Sequence, residues 1–289
     1  MSYGTFPKQR YHNRSSLKAF LEQTLSRDNV LFGARNDGSK PWLESILGYP
    51  SEKITSIPDP GLYVPTAPVT HLELSDQKLN VLVALNGEME CYRFGGRWPD
   101  QIWKYTPGWK ARKAAFFRGL SQALERLSRK HDVNLIICAH CTSDFKMLGE
   151  FFSYLPARLR DQQVVMAPIL KARSAPYFYD LYRQADLAIS MRIHSMDCAT
   201  GVGTPFIGLD SHPRMRWFMA DAGLTDFLVD AFSPDLAEEI TTRADQIFER
   251  RHEVKKRLQV VRAQMRVRTT EFNRRVAALL NASTIADLV

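Results

Sequence analysis

From residue 79 onward, short apolar runs alternate with longer stretches in which apolar positions recur every three or four residues. The first pattern suits strands buried on both faces and the second suits amphipathic helices, so the alternation predicts βαβ units and a parallel sheet. Six strands are expected, at 79–86, 133–139, 163–168, 186–190, 204–209 and 226–229. Between them, helices are expected at 110–130, 144–155, 175–184, 194–201 and 213–222, each long enough to cross from one parallel strand to the next. The reading is an α/β fold with a Rossmann-like lobe.

The flanking segments read differently. Before residue 79 the pattern gives a helix at 16–25, a strand at 29–34, a helix at 41–47 and a short strand at 54–57 that ends on Pro58-Asp59-Pro60-Gly61. This is too little for a whole lobe, and the prolines at 65 and 68 read as a linker. After Ser233-Pro234 the chain reads as helix to Arg250 and onward with a bend. In that last stretch Val254, Leu258, Val261, Met265, Phe272, Val276 and Leu279 form one apolar stripe, which is expected to pack as core. Three units are therefore expected: a partial N-terminal α/β lobe (1–68), a Rossmann-like donor-binding lobe (69–233) and basic amphipathic helices (234–289).

Composition narrows the class. No apolar run approaches the ~20 residues a spanning helix needs, and the first residues lack the apolar core of a signal peptide, so a cytoplasmic location is expected. The net charge of +8 is concentrated between Arg250 and Arg275, where ten Lys/Arg face two Glu. A basic cleft for nucleic acid is thereby disfavoured; a solvated helix face, or peripheral contact of 250–275 with an anionic inner membrane surface, remains open. Four cysteines, Cys91, Cys138, Cys141 and Cys198, are too few for a disulfide framework. Cys138-Ala139-His140-Cys141 has C-x-x-C spacing without a second ligand pair, so the two cysteines are read as small apolar residues closing a buried strand, and no metal is expected.

Ligands of parallel sheets bind beyond the carboxyl ends of the strands, so the polar residues after each apolar run are the candidates. These are Asn86 and Glu88, His140 and Asp144, Arg192 and His194, Ser211, His212 and Arg214, and, in the smaller lobe, Arg35 and Asp37. The strongest group runs from Ala185 through Arg192-Ile193-His194-Ser195 to Gly203-Thr204-Pro205. There a strand ends, a guanidinium and an imidazole follow one residue apart, and a helix begins, an arrangement suited to an anion.

The stretch from Ala185 to Gly208 resembles the polysaccharide pyruvyl transferase family, in which an Arg-Leu-His precedes a small-residue helix and a Gly-x-Pro strand. Arg35-Asn36-Asp37-Gly38-Ser39, the Asp59-Pro60 turn, and His140 with Asp144 are weaker echoes of the same family. The family's opening strand, glycine turn and long helix are not found at the start, so the sequence reads as a C-terminal portion or a shortened relative with two Rossmann-like lobes in a glycosyltransferase-B-like arrangement, the first incomplete.

The resemblance implies transfer of pyruvate from phosphoenolpyruvate to two hydroxyls of a sugar, free or lipid-linked, without a cofactor. It carries over Arg192 as a donor-binding cation and His194 as a phosphate contact or proton-transfer group. By their strand-end positions, His140 is expected as a second acid or base, Ser195 and Arg214 as donor contacts, and Arg35, Asp37 and Asn86 as acceptor contacts. One rival is a nucleotide-sugar glycosyltransferase or epimerase, which would need an acidic residue to grip a ribose; none stands beside Arg192 or His194 in sequence. Another is a non-catalytic relative that keeps the anion pocket.

Overall fold

The computed structural model describes residues 14–66, 72, 74, 77–87, 108–162, 164–167 and 175–286. Glu88 and Cys91 lie outside these residues, as do the ends of the segments expected at 65–68 and 163–168.

The larger lobe is a six-stranded sheet, parallel throughout. In chain order its strands are β3 (Leu79–Ala84), β4 (Val133–Ile137), β5 (Val164–Met166), β6 (Leu187–Ser190), β7 (Phe206–Asp210) and β8 (Leu228–Asp230). They lie side by side as β5-β4-β3-β6-β7-β8. The chain thus builds outward from β3 in one direction, returns, and builds outward in the other. That order is the doubly wound one, and it opens a crevice at the carboxyl ends of β3 and β6, where the direction reverses. Every residue of β4 and of β6 is buried, which explains why they read as largely apolar runs without alternation; the polar exceptions, Asn134 and Ser190, are hydrogen-bonded.

Helices α3 (Trp109–His131), α4 (Thr142–Phe152), α6 (Ala175–Arg183), α7 (Ile193–Val202) and α8 (Pro213–Asp221) follow the expected spacing. A short α5 (Ala157–Gln162) was not anticipated. The strands stop earlier than the apolar runs do: β3 ends at Ala84 and β4 at Ile137, although Leu85, Cys138 and Ala139 are buried too. Apolar burial continues past the hydrogen-bonded ladder, and those extra residues carry the chain into the crevice.

The smaller lobe holds α1 (Arg14–Leu25), β1 (Phe32–Arg35), α2 (Ser39–Leu47) and β2 (Ile54–Ile57), with β1 and β2 paired in parallel. Its core is a separate cluster that includes Leu21, Leu25, Leu43, Ile46, Leu47 and Ile54.

After β8 come α9 (Leu236–Glu249), which packs on α3, and α10 (Arg251–Ala286), with the expected bend at Arg250. At ~1.5 Å per residue, α10 spans roughly 54 Å, enough to run across both lobes. Its stripe is core for the first half: Val254, Leu258, Val261 and Met265 are buried in the large cluster. Further along, Phe272 reaches Gly33 of the smaller lobe, and Arg275 donates to Thr55 of β2. Burying each of those four side chains contributes about 1.5–3 kcal/mol before entropy is counted, so α10 acts as a brace across both lobes. Several of its arginines pair with the body of the protein rather than facing water alone: Arg251 with Asp186, Arg257 with Asp226, and Arg268 with Asp221. Among the described residues no helix is long and apolar enough to cross a membrane.

Candidate active site

The crevice wall begins with a close approach. Asn86 and Gly87 follow β3, and a Cβ on Gly87 would lie 2.0 Å from the backbone oxygen of Ser143, so only glycine lets this turn meet the start of α4. The contact brings the Gly87 N–H within 2.9 Å of Asp144 Oδ1. Asp144 is fully buried and also accepts from the backbone N–H groups of His140 (2.9 Å) and Cys141 (3.2 Å), which caps α4.

Onto this carboxylate comes Arg192, the extended residue that starts α7. Its Nη2 donates to Asp144 Oδ1 at 3.0 Å, to Asn86 Oδ1 at 3.2 Å and to Cys141 Sγ at 3.1 Å. Three strand ends, β3, β4 and β6, therefore converge on one guanidinium whose side chain is 11% exposed. Cys141, read from sequence as a strand-closing apolar residue, is instead part of this contact. Cys138 fits that reading: it is buried, and burial, reinforced by Asp144, pushes its thiol up to about 12.

His140 lies beneath the crevice. Its ring stacks on Phe178 with centroids 4.7 Å apart, and Nε2 meets Tyr182 Oη at 3.0 Å and Ser195 Oγ at 3.2 Å. Burial, then the Arg192 charge, pushes its pKa down to about 3. An imidazole so disfavoured as a cation is neutral at working pH, so of the two roles expected for it, acid or base, its surroundings favour the base; it also bonds to Tyr182 and Ser195. The reading of Ser195 is corrected: it is fully buried, its hydroxyl is turned to His140, and it presents nothing to a donor.

The opposite wall comes from the smaller lobe. Arg35 closes β1 with its side chain 11% exposed. It donates to Asp37 Oδ2 through Nε (2.9 Å) and Nη2 (2.8 Å) and to Asp59 Oδ2 through Nη1 (2.7 Å), and the same Nη1 lies 3.2 Å from His194 Nε2. Asp37 is fully buried and binds Ser39 Oγ at 2.5 Å as well as Arg214 Nε at 2.7 Å. Its expected contact with an acceptor is therefore corrected: it is the joint between Arg35 of one lobe and Arg214 of the other. Asn86, expected on the acceptor side, belongs to the Arg192 wall. Ser211 and His212 serve α8 locally, through Ser211 Oγ to the Met191 carbonyl and His212 Nδ1 accepting from the Arg214 N–H.

His194 is exposed where the two walls meet. Desolvation, followed by the charge of Arg35, lowers its pKa, so its neutral form is favoured. One turn along α7, Asp197 is buried at 3% exposure, and among the described residues neither of its carboxyl oxygens has a hydrogen-bond partner. Oxygen and nitrogen atoms of Asp59, His194 and Asp197 lie within 4.8 Å of one another. Arg35 Nη1 already contacts both Asp59 and His194, so the cation of this trio is a guanidinium. Asp144, named from its strand-end position, thus lies against Arg192, and Asp59 and Asp197, which the strand-end rule did not name, lie near His194.

A family model for polysaccharide pyruvyl transferase matches residues 8–213, well over half of the chain. The chain belongs to that family. Among curated proteins, none matches it at a significant level. The solved structures similar to this pyruvyl transferase family member include a UDP-GlcNAc 2-epimerase from Neisseria meningitidis, crystallised with UDP-GlcNAc (13% identity, TM-score 0.40, 64% of this chain and 40% of that one). Others are a putative UDP-N-acetylglucosamine 2-epimerase from Listeria monocytogenes (12%, 0.38, 64% and 40%) and the N-terminal domain of a Candida albicans trehalose-6-phosphate phosphatase (14%, 0.42, 71% and 42%). The chain spans about 40% of the length of these structures.

Proposed function

We propose that the crevice binds phosphoenolpyruvate and passes its pyruvyl group to a pair of sugar hydroxyls, forming a ketal and releasing inorganic phosphate. The observation that carries this reading is the convergence of Arg192, Arg35 and Arg214 with His194 on one crevice, at the switch point of a parallel sheet. A small polyanion needs several oriented cations, and here each guanidinium is already held by a carboxylate, which limits the ordering cost on binding. Arg192 takes the donor's carboxylate or phosphate. His194, whose neutral form burial and Arg35 favour, gains proton affinity beside an anion and exchanges a proton at the reacting centre.

The acceptor fits a concavity of about 340 Å³ on the smaller lobe, lined by Arg35 and Asp59 and walled by Phe32, Trp42, Pro58 and Pro60. Arg35 Nη1 bonds to Asp59 and lies 3.2 Å from His194 Nε2, so this concavity adjoins the donor crevice. Apolar walls with two charged groups suit a sugar ring carrying hydroxyls. The sugar and any lipid carrier are open.

The test is phosphate release from phosphoenolpyruvate in the presence of sugar acceptors. Arg192→Ala should lower kcat/KM for the donor roughly 10- to 150-fold, the counterpart of losing about 1.5–3 kcal/mol from charge-assisted bonds. The fold should survive, because Asp144 keeps its three backbone partners. Unchanged turnover would remove Arg192 from the donor site. Binding of a uridine nucleotide in preference to phosphoenolpyruvate would favour the nucleotide-sugar rival, which the acids around His194 keep open.

A further inference from the structure

A buried carboxylate with no hydrogen bond is costly enough that such a group either meets a cation or keeps its proton. Asp197 has both oxygens unpartnered at 3% exposure. The nearest cation, Arg35, is committed to Asp37 and Asp59 and makes no hydrogen bond to Asp197. A metal ion among Asp59, His194 and Asp197 would have to lie against that guanidinium. We propose that Asp197 holds a proton under working conditions, and that this proton sets the charge of the crevice for an anionic donor.

The charges support it. Among the described residues, three arginines line the crevice, Arg35, Arg192 and Arg214, and three carboxylates pair with them, Asp37, Asp59 and Asp144. With Asp197 neutral these six groups balance, and His194 is free to add a positive charge when a polyanion arrives. With Asp197 ionised, the same set carries one net negative charge, placed one turn beneath His194. The groups facing Asp197 from each neighbouring element are Asp59, Arg35 and Asp37 from the smaller lobe, His194 and Cys198 from α7, and Tyr179 from α6. Of these only Arg35 favours ionisation; burial, the largest influence, together with Asp59 and Asp37, opposes it. Asp197 is therefore a charge-setting residue behind the donor site, not one that touches the donor. This role rests on the phosphoenolpyruvate reading, whereas the proton itself does not.

The experiment compares the full chain with Asp197→Asn, an isosteric group that cannot ionise. A carboxyl whose folded pKa exceeds its unfolded value gives stability that is complete below the unfolded pKa, about 4, and is lost as pH rises through the folded pKa. The thermal midpoint of the wild type relative to Asp197→Asn should therefore fall steadily from pH 4 to pH 7 or beyond. A flat difference overturns the proton. A rise in wild-type midpoint on adding MnCl2, absent in Asp197→Asn, also overturns it, by placing a cation there.

The second readout is the dissociation constant for phosphoenolpyruvate across the same pH range. The ratio of wild type to Asp197→Asn should grow by up to tenfold per pH unit once Asp197 ionises, with Asp197→Asn binding at least as tightly throughout. Weaker binding by Asp197→Asn, by tenfold or more, overturns the charge-setting role. If the wild type itself does not bind phosphoenolpyruvate, the donor reading and this role fall together, while the midpoint comparison still decides whether Asp197 carries a proton.

Discussion

Two carboxyls flank the crevice, and the chain treats them in opposite ways. Asp144 accepts from three backbone N–H groups and from Arg192, so its charge is fully used to fix three strand ends in register. Asp197, on the helix that Arg192 begins, is also buried, and its carboxyl oxygens have no hydrogen-bond partner among the described residues. Rigidity and adjustability are thus separated along a few residues of α7. The Arg192 side is held by fixed hydrogen bonds, and the His194–Asp197 side, facing the smaller lobe, is the one on which the proposed change of charge would fall.

Asp144→Ala should break the rigid side with the largest effect. It strips the partner from a nearly buried arginine and three backbone donors, and about 3–5 kcal/mol of stability should be lost in chemical denaturation. Next in size is Gly38→Ala, which attacks the contact that keeps the two sides facing each other. Gly38 has φ +88°, and a Cβ there would lie 1.8 Å from Trp217 Cε3 of α8. The strained backbone and the overpacked ring should cost about 1–3 kcal/mol, and activity should fall further than the stability loss alone explains, because Arg35 and Arg214 must remain in register on Asp37. A fully active Gly38→Ala protein would show that the smaller lobe is not needed to shape the site.

The rigid side was the more legible in the sequence. Arg192, His140 and Asp144 all follow apolar runs, and the rule that ligands sit at strand ends found them without any contact map. The same rule could not assign roles. Ser195 stands next to His194 in sequence, yet the helix turns its hydroxyl under the crevice to His140. Asp37 reads from sequence only as an acceptor contact, because its partner Arg214 is far along the chain and no local pattern reports that pairing. Asp59 was legible only as a proline turn. Asp197 did leave a signal: it is the lone acid in the otherwise uncharged helix from Ile193 to Val202. An ionisable group amid small and apolar residues is expensive to bury, and in a helix that starts at a predicted site it marks a group whose charge the site controls.

Smaller in effect, and again on the contrast between fixed and adjustable groups, is the pH response of His140. Its folded pKa, near 3, lies below the ordinary value of 6.5, so on acidification the unfolded chain takes up a proton that the folded chain refuses. The stability that the neutral ring brings is complete above about pH 6.5 and is lost as pH falls toward 3, at up to about 1.4 kcal/mol per pH unit. His140→Gln should flatten this acid limb in unfolding curves measured from pH 7 to pH 4. Asp197 works in the reverse direction over an overlapping range, so the double variant with Asp197→Asn is needed to separate the two. An acid limb unchanged in His140→Gln would mean that the folded ring takes up its proton as readily as the unfolded one, and a role as general acid would return.

The smallest expected change is at the brace. Arg268 of α10 binds both oxygens of Asp221, Nη1 to Oδ1 at 2.8 Å and Nη2 to Oδ2 at 2.5 Å, and Asn36 of the smaller lobe donates to the same carboxylate at 2.8 Å. The pair is about one-third exposed on the arginine side, so Arg268→Gln should cost only about 0.2–1 kcal/mol in stability. Its value lies in the comparison: a bond that ties α8, α10 and the loop after β1 together should influence the adjustable side more than the rigid one. The expected result is an altered KM for the sugar acceptor with donor binding unchanged. If donor affinity falls instead, α10 braces the Arg192 wall as well, and the two sides of the crevice are not mechanically separate.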